Sequence, residues 1–142
     1  MGNKDNPAIG ANFQREVKEW FSRNHNGRFE LETKIPIGNP PKDHKFDIVD
    51  LDGRFVIECK CIKWTDSGYV PSAKMAAVNE AAFYLSFLPD SYCKYIVMKY
   101  CYHSSRGETL AEYYFRTYRH LLGDIKVGEY DPDSGSFRVI CE

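Results

Sequence analysis

The feature that most restricts this chain is the dipeptide Asp52-Gly53, set between two β-rich runs at residues 45–51 and 54–62. Asp-Gly is the pair best suited to the centre of a two-residue type I′ turn, whose twist matches that of paired antiparallel strands. With those residues at the turn, counting outward sets Leu51 opposite Arg54, Val49 opposite Val56, Asp47 opposite Glu58 and Lys45 opposite Lys60. Two carboxylates then face each other. Alternation puts Glu58 and Lys60 on one face of their strand and Ile57, Cys59 and Cys61 on the other. Like charges directly opposite destabilise an exposed strand pair by up to roughly 1 kcal/mol, and by more in apolar surroundings such as the run RFVIEC around Glu58. Something has to offset that cost.

The remaining segments read as alternating helix and strand. Phe13, Val17, Trp20 and Phe21 repeat at helical spacing between Gly10 and Arg23, and HNG at 25–27 supplies a helix end. RFELETKIPIG alternates Phe29, Leu31, Thr33, Ile35 and Ile37 with polar residues, and GNPPKDH then predicts a loop that continues neither regular structure. A helix is predicted from Pro71 to Leu88, stopped by Pro89 and apolar on most sides. A strand over 93–103, a helix over 108–123 closed by Gly123, and a terminal strand in GSFRVICE complete the chain. The predicted order is α-β-β-β-α-β followed by α-β. At 142 residues this is one domain, 1–142, with no internal repeat.

Charge narrows the partners. Nineteen basic residues stand against 20 acidic ones, so a polyanion would be gripped through a local patch and not by a basic tail. No run approaches membrane-spanning length and MGNKDNPAIG lacks a signal-peptide hydrophobic region, which predicts a cytoplasmic protein with no membrane partner. Five cysteines are an odd number, mostly inside apolar runs, which argues against a disulfide framework. Cys59-x-Cys61 is half of a zinc motif without its second half.

A divalent cation answers the facing carboxylates. Asp47, Glu58 and the backbone carbonyl of Cys59 form the hard oxygen set that Mg²⁺ takes while keeping several waters. Lys60 beside them would orient the attacking water or stabilise charge building on a phosphate. A hairpin of ordinary solvated charges is the competing reading.

The order α-β-β-β-α-β with Asp47 on the second strand and Glu58-Cys59-Lys60 on the third resembles the PD-(D/E)xK nuclease superfamily over roughly residues 9–103. The resemblance implies an α/β, restriction-endonuclease-like core: a mixed central sheet flanked by helices, here with an added C-terminal helix and strand. It implies that Asp47 and Glu58 bind Mg²⁺ or Mn²⁺, that Cys59 lends its carbonyl and that Lys60 assists the attacking water. Phe46 stands where the family name has proline. Many members carry an acidic or amide residue on the first helix facing the site. In GANFQREV that position falls to Gln14, with Glu16 as the rival, and a helical wheel sets Gln14 nearer the Phe13-Val17-Phe21 stripe. Lys74 and Asn79 on the second helix are candidate phosphate contacts or solvated residues.

The implied activity is that of a metal-dependent endodeoxyribonuclease acting on duplex or branched DNA. The core leaves little chain for reading several base pairs in the major groove, which favours structure selectivity. GYVPSAKMAAVNEAAFYL is similar to the corresponding stretch of small Holliday-junction resolvases, although their strongly basic surface is missing. The alternatives are a catalytically silent nuclease-fold module that binds nucleic acid or protein, and a small sequence-specific enzyme of restriction or homing type. Arg116, Arg119 and His120 interleave with Tyr113, Tyr114 and Tyr118 either as a phosphate-and-base patch or as one aromatic core face and one solvated face. His25, His44 and His103 carry no predicted role. Paired cuts need two sites, and a homodimer through Phe83, Tyr84 and Phe87 is expected, with Met75, Val78, Ala82 and Leu85 covering the sheet.

Overall fold

The computed structural model describes residues 7–141. Its elements are α1 (Pro7–Asn24), β1 (Phe29–Ile37), β2 (Lys42–Asp50), β3 (Phe55–Lys60), α2 (Ser72–Leu85), β4 (Cys93–Lys99), β5 (Tyr102–His103), β6 (Glu108–Thr109), α3 (Leu110–Leu122), β7 (Lys126–Asp131) and β8 (Ser136–Val139). The fold is α/β. Six strands form one mixed sheet in the order β1-β2-β3-β4-β7-β8, parallel at β3–β4 and β4–β7 and antiparallel elsewhere. β5 and β6 make a separate two-stranded ribbon. None of the helices in the described region is long and apolar enough to cross a membrane.

The helices flank the sheet because each buries an apolar face against it. Phe13, Val17 and Phe21 of α1 pack on one face with Ile48, Ile57, Tyr95 and Val97. Met75, Val78, Ala82 and Leu85 of α2 join Leu110, Ala111 and Tyr114 over the other face, against Val49, Val56 and Ile96. Thr109 starts α3 with a full capping box, its side chain accepting from the Glu112 amide while Glu112 accepts from the Thr109 amide.

Several elements differ from the expected bounds. The turn after β1 is confined to residues 38–41, so Lys42, Asp43 and His44 belong to β2. Both prolines fit inside that turn, and nothing after them opposes a strand. The strand expected over 93–103 ends at Lys99, and Tyr102–His103 turns away to pair with Glu108–Thr109. The strand expected in GSFRVICE is β8, and before it stands an unpredicted strand, β7, hidden in the sequence by a central Gly128; β7 lies parallel to β4, and β8 folds back on it. Glycine weakens a strand signal, yet here it is required, since a Cβ on Gly128 would lie 2.7 Å from the Phe137 ring.

One irregularity shapes the functional end. Alternation along one strand would keep Phe29, Leu31, Ile35 and Ile37 on a single face. Instead Phe29, Leu31 and Ile48 pack with α1, whereas Ile35, Ile37 and Phe46 pack with α2. The β1–β2 ribbon rolls over between Leu31·Ile48 and Thr33·Phe46, where the ladder skips Glu32·Asp47. Glu32 takes a left-handed backbone (φ 50°) at that step.

Candidate active site

The counted register of β2 on β3 is present: Val49 pairs with Val56 and Ile48 with Ile57. The connection differs from the expected two-residue turn. Residues 51–54 form a longer loop closed by the Gly53 amide donating to the Asp50 carbonyl (2.8 Å). The buried Asp50 carboxylate organises it by accepting from the amides of Arg28, Asp52 and Arg54. Asp50 was invisible to periodicity because the turn dipeptide already accounted for the loop.

Beyond Ile48·Ile57 side chains replace the backbone ladder. The Asp47 amide donates to Glu58 Oε2 (2.8 Å), and the Cys59 amide donates to Asp47 Oδ2 (2.8 Å). Each carboxylate thus fastens its own strand to the backbone of the other. The Asp47 carbonyl, freed from the ladder, accepts from Gln14 Nε2 of α1 (3.0 Å). Gln14 is therefore the first-helix residue that reaches the site, and it does so through main chain. Glu16, half-buried, lies instead near enough to Tyr130 to help raise its pKa.

Burial pushes the Glu58 carboxyl up to about 7, Asp47 pushes it the same way, and the Asp47 amide and Lys60 oppose them. Asp47 is also raised, chiefly by burial, against the Cys59 amide and Lys60. Lys60 thus stands close enough to act on both. Cys59 and Cys61 pack against the α1 cluster, as alternation places them, and burial holds both thiols above their ordinary range. All five cysteines are free.

Two neighbours were missed. His44 stacks on Tyr84 of α2 (centroids 3.8 Å apart, 15° between planes) and meets the Phe46 ring edge-on. Burial lowers its pKa against the pull of Asp47 and Glu80. It was missed because residues 42–44 read as loop. Glu32, on the rolled step of β1, lies near enough to raise the Asp47 pKa and pairs with Lys45 (3.7 Å). Other candidates are drawn elsewhere. Asn79 accepts from the Tyr114 hydroxyl (3.0 Å) and braces α2 on α3, with Tyr114 wholly buried. Arg116 is held by Glu108 (2.6 Å), so the tyrosine-arginine series on α3 divides into a core face and a paired surface face.

Among the described residues no three His, Cys, Asp or Glu side chains converge as a metal cluster. Two carboxylates with a carbonyl and waters are nevertheless enough for Mg²⁺. Asp47 Oδ1 and Glu58 Oε1 have no hydrogen-bond partner among the described residues, and both acids have raised pKa values, so a cation would return them to the charged form. The donor set fits a hard divalent ion. No family model, curated protein or solved structure matches the chain.

Proposed function

We propose that the protein is a metal-dependent endonuclease that hydrolyses phosphodiester bonds in DNA. The observation that carries this reading is the reciprocal lock of half-buried Asp47 and buried Glu58: each carboxylate spends one oxygen on the opposite strand and leaves the other oxygen unpartnered, beside Lys60. Asp47, Glu58 and the Cys59 carbonyl would hold Mg²⁺ or Mn²⁺. Bound there, the ion supplies Lewis acidity toward a phosphoryl oxygen and acidifies the attacking water. Lys60 donates toward the phosphate as negative charge grows on it, and Gln14 keeps the Asp47 main chain in place. Water oxygen bonds to phosphorus, the bond to one strand oxygen breaks, and that oxygen leaves with a proton.

Each chain holds one such site, so paired cuts require two copies. Phe83 on α2 and Phe87 in the turn after it are 61% and 48% exposed and form the surface proposed to join them. Incubation of supercoiled plasmid and of a four-way junction with and without Mg²⁺ or Mn²⁺ tests the reading. Metal-dependent nicking lost in Asp47→Ala and Glu58→Ala supports it. Cleavage unchanged in both variants rejects the site, and binding without cleavage by the wild type leaves the silent module.

A further inference from the structure

Beyond the carboxylate site, the loop over residues 61–71 and the β5–β6 ribbon are tied into one crown at the carboxyl ends of the parallel strands β3 and β4. His103 Nε2 donates to the Asp66 carbonyl (2.9 Å), Ser105 Oγ bonds His103 Nδ1 (2.9 Å), and the loop closes on itself through Thr65 and Tyr69. Gly68 (φ 85°) permits this contact, because a Cβ there would overlap Ser105 and crowd His103.

Arg106 sits in the turn of that ribbon. Its guanidinium lies 4.6 Å from the Trp64 ring centroid and 5.6 Å from that of Tyr113. Arg28, Arg116 and Arg138 are each neutralised by a carboxylate. Among the described residues none accepts a hydrogen bond from the Arg106 guanidinium or forms an ion pair with it, so stacking fixes the fork while its donors face solvent. An arginine held this way is prepared for a phosphate at little ordering cost.

Its position suits the proposed chemistry. Trp64 follows Lys60 by four residues, a chain length that spans at most about 14 Å, roughly four base steps along a duplex axis at about 3.4 Å each. Lys63 and Asp66 are both exposed on the same loop.

Resting on the nuclease reading, we propose that Arg106, stacked on Trp64 and Tyr113, grips a backbone phosphate of the nucleic acid strand a few nucleotides from the scissile bond, without reading its sequence. The test is binding of fluorescent duplexes of two sequences and of a four-way junction, in EDTA, across a salt series. Arg106→Gln and Arg106→Met still cover Trp64 but carry no charge. Each should bind about tenfold more weakly on every DNA and lower the slope of log affinity against log salt by about 1, while Arg106→Lys keeps the slope. Equal urea midpoints separate this loss from unfolding. Wild-type binding with unchanged slopes in both neutral variants, or a loss confined to one sequence, overturns the inference alone. A wild type that binds neither DNA form overturns the nuclease reading with it.

Discussion

Glu58→Gln isolates the free energy that the carboxylate pair withholds from the fold. Glu58 is raised from 4.5 to about 7 in the native protein. That gap of about 2.5, at 1.36 kcal/mol per pKa unit, is about 3 kcal/mol. The native state binds this proton more tightly than the unfolded chain, so the stability it contributes is full below pH 4.5 and is lost as pH rises through about 7. Asp47 shares the titration, and the profile belongs to the pair. Glutamine stays neutral at every pH and can still accept from the Asp47 amide, at the loss of about 1 kcal/mol of charge assistance. The net expectation at pH 8 in EDTA is a variant more stable than wild type by about 2 kcal/mol. With a urea m-value near 2 kcal/mol/M that moves the midpoint up by about 1 M. Below pH 4.5 the advantage should vanish. Saturating Mg²⁺ should stabilise the wild type and leave the variant where it was. A Glu58→Gln protein less stable than wild type at pH 8 without metal refutes the placement of two mutually strained carboxylates.

Lys60→Ala should bind Mn²⁺ in calorimetry as the wild type does while cleavage falls about a hundredfold or more; metal affinity falling as far as the rate would make Lys60 an organiser of the carboxylates. Gln14→Ala strips the Asp47 carbonyl of its partner, and should cost about 1–3 kcal/mol in urea unfolding together with weakened metal binding; an unchanged midpoint would mean that the carbonyl is otherwise satisfied. Light scattering should give twice the 16.4 kDa chain mass, and Glu at Phe83 and Phe87 should yield monomers that make single nicks; a monomeric wild type that makes paired cuts rejects the α2 interface.

Local signals brought Asp47 and Glu58 together and missed their surroundings. A turn dipeptide and two-residue alternation were enough to set Asp47 opposite Glu58, because register propagates from any fixed point in an antiparallel pair. The face of Glu58 and Lys60 followed from the same counting. What could not be counted was the roll of the β1–β2 ribbon, since nothing in FELETK announces that Glu32 will leave the β region. His44 was lost with it, hidden behind two prolines that end one strand without delaying the next. β7 was lost to Gly128, whose reason for being glycine is Phe137, a residue nine positions later and across a strand pair. Each miss depends on a neighbour remote in sequence.

The roll also explains why the site lies where it does. A left-handed residue other than glycine costs about 1–2 kcal/mol, and Glu32 adopts that conformation in the middle of a strand. In return the ribbon turns Phe46 into the α2 cluster, with Ile35 and Ile37 packed beside it. Burying one such side chain fully contributes about 1.5–3 kcal/mol, so Phe46 alone offsets the strain. The same roll lifts the Asp47 peptide out of the ladder, and its amide and carbonyl are left for Glu58 and Gln14 to satisfy. An ordinary ladder at this level would bond the two backbones directly and remove any structural need for the Glu58 carboxylate. The apolar packing of the ribbon and the two unpartnered carboxylate oxygens are therefore consequences of one backbone step.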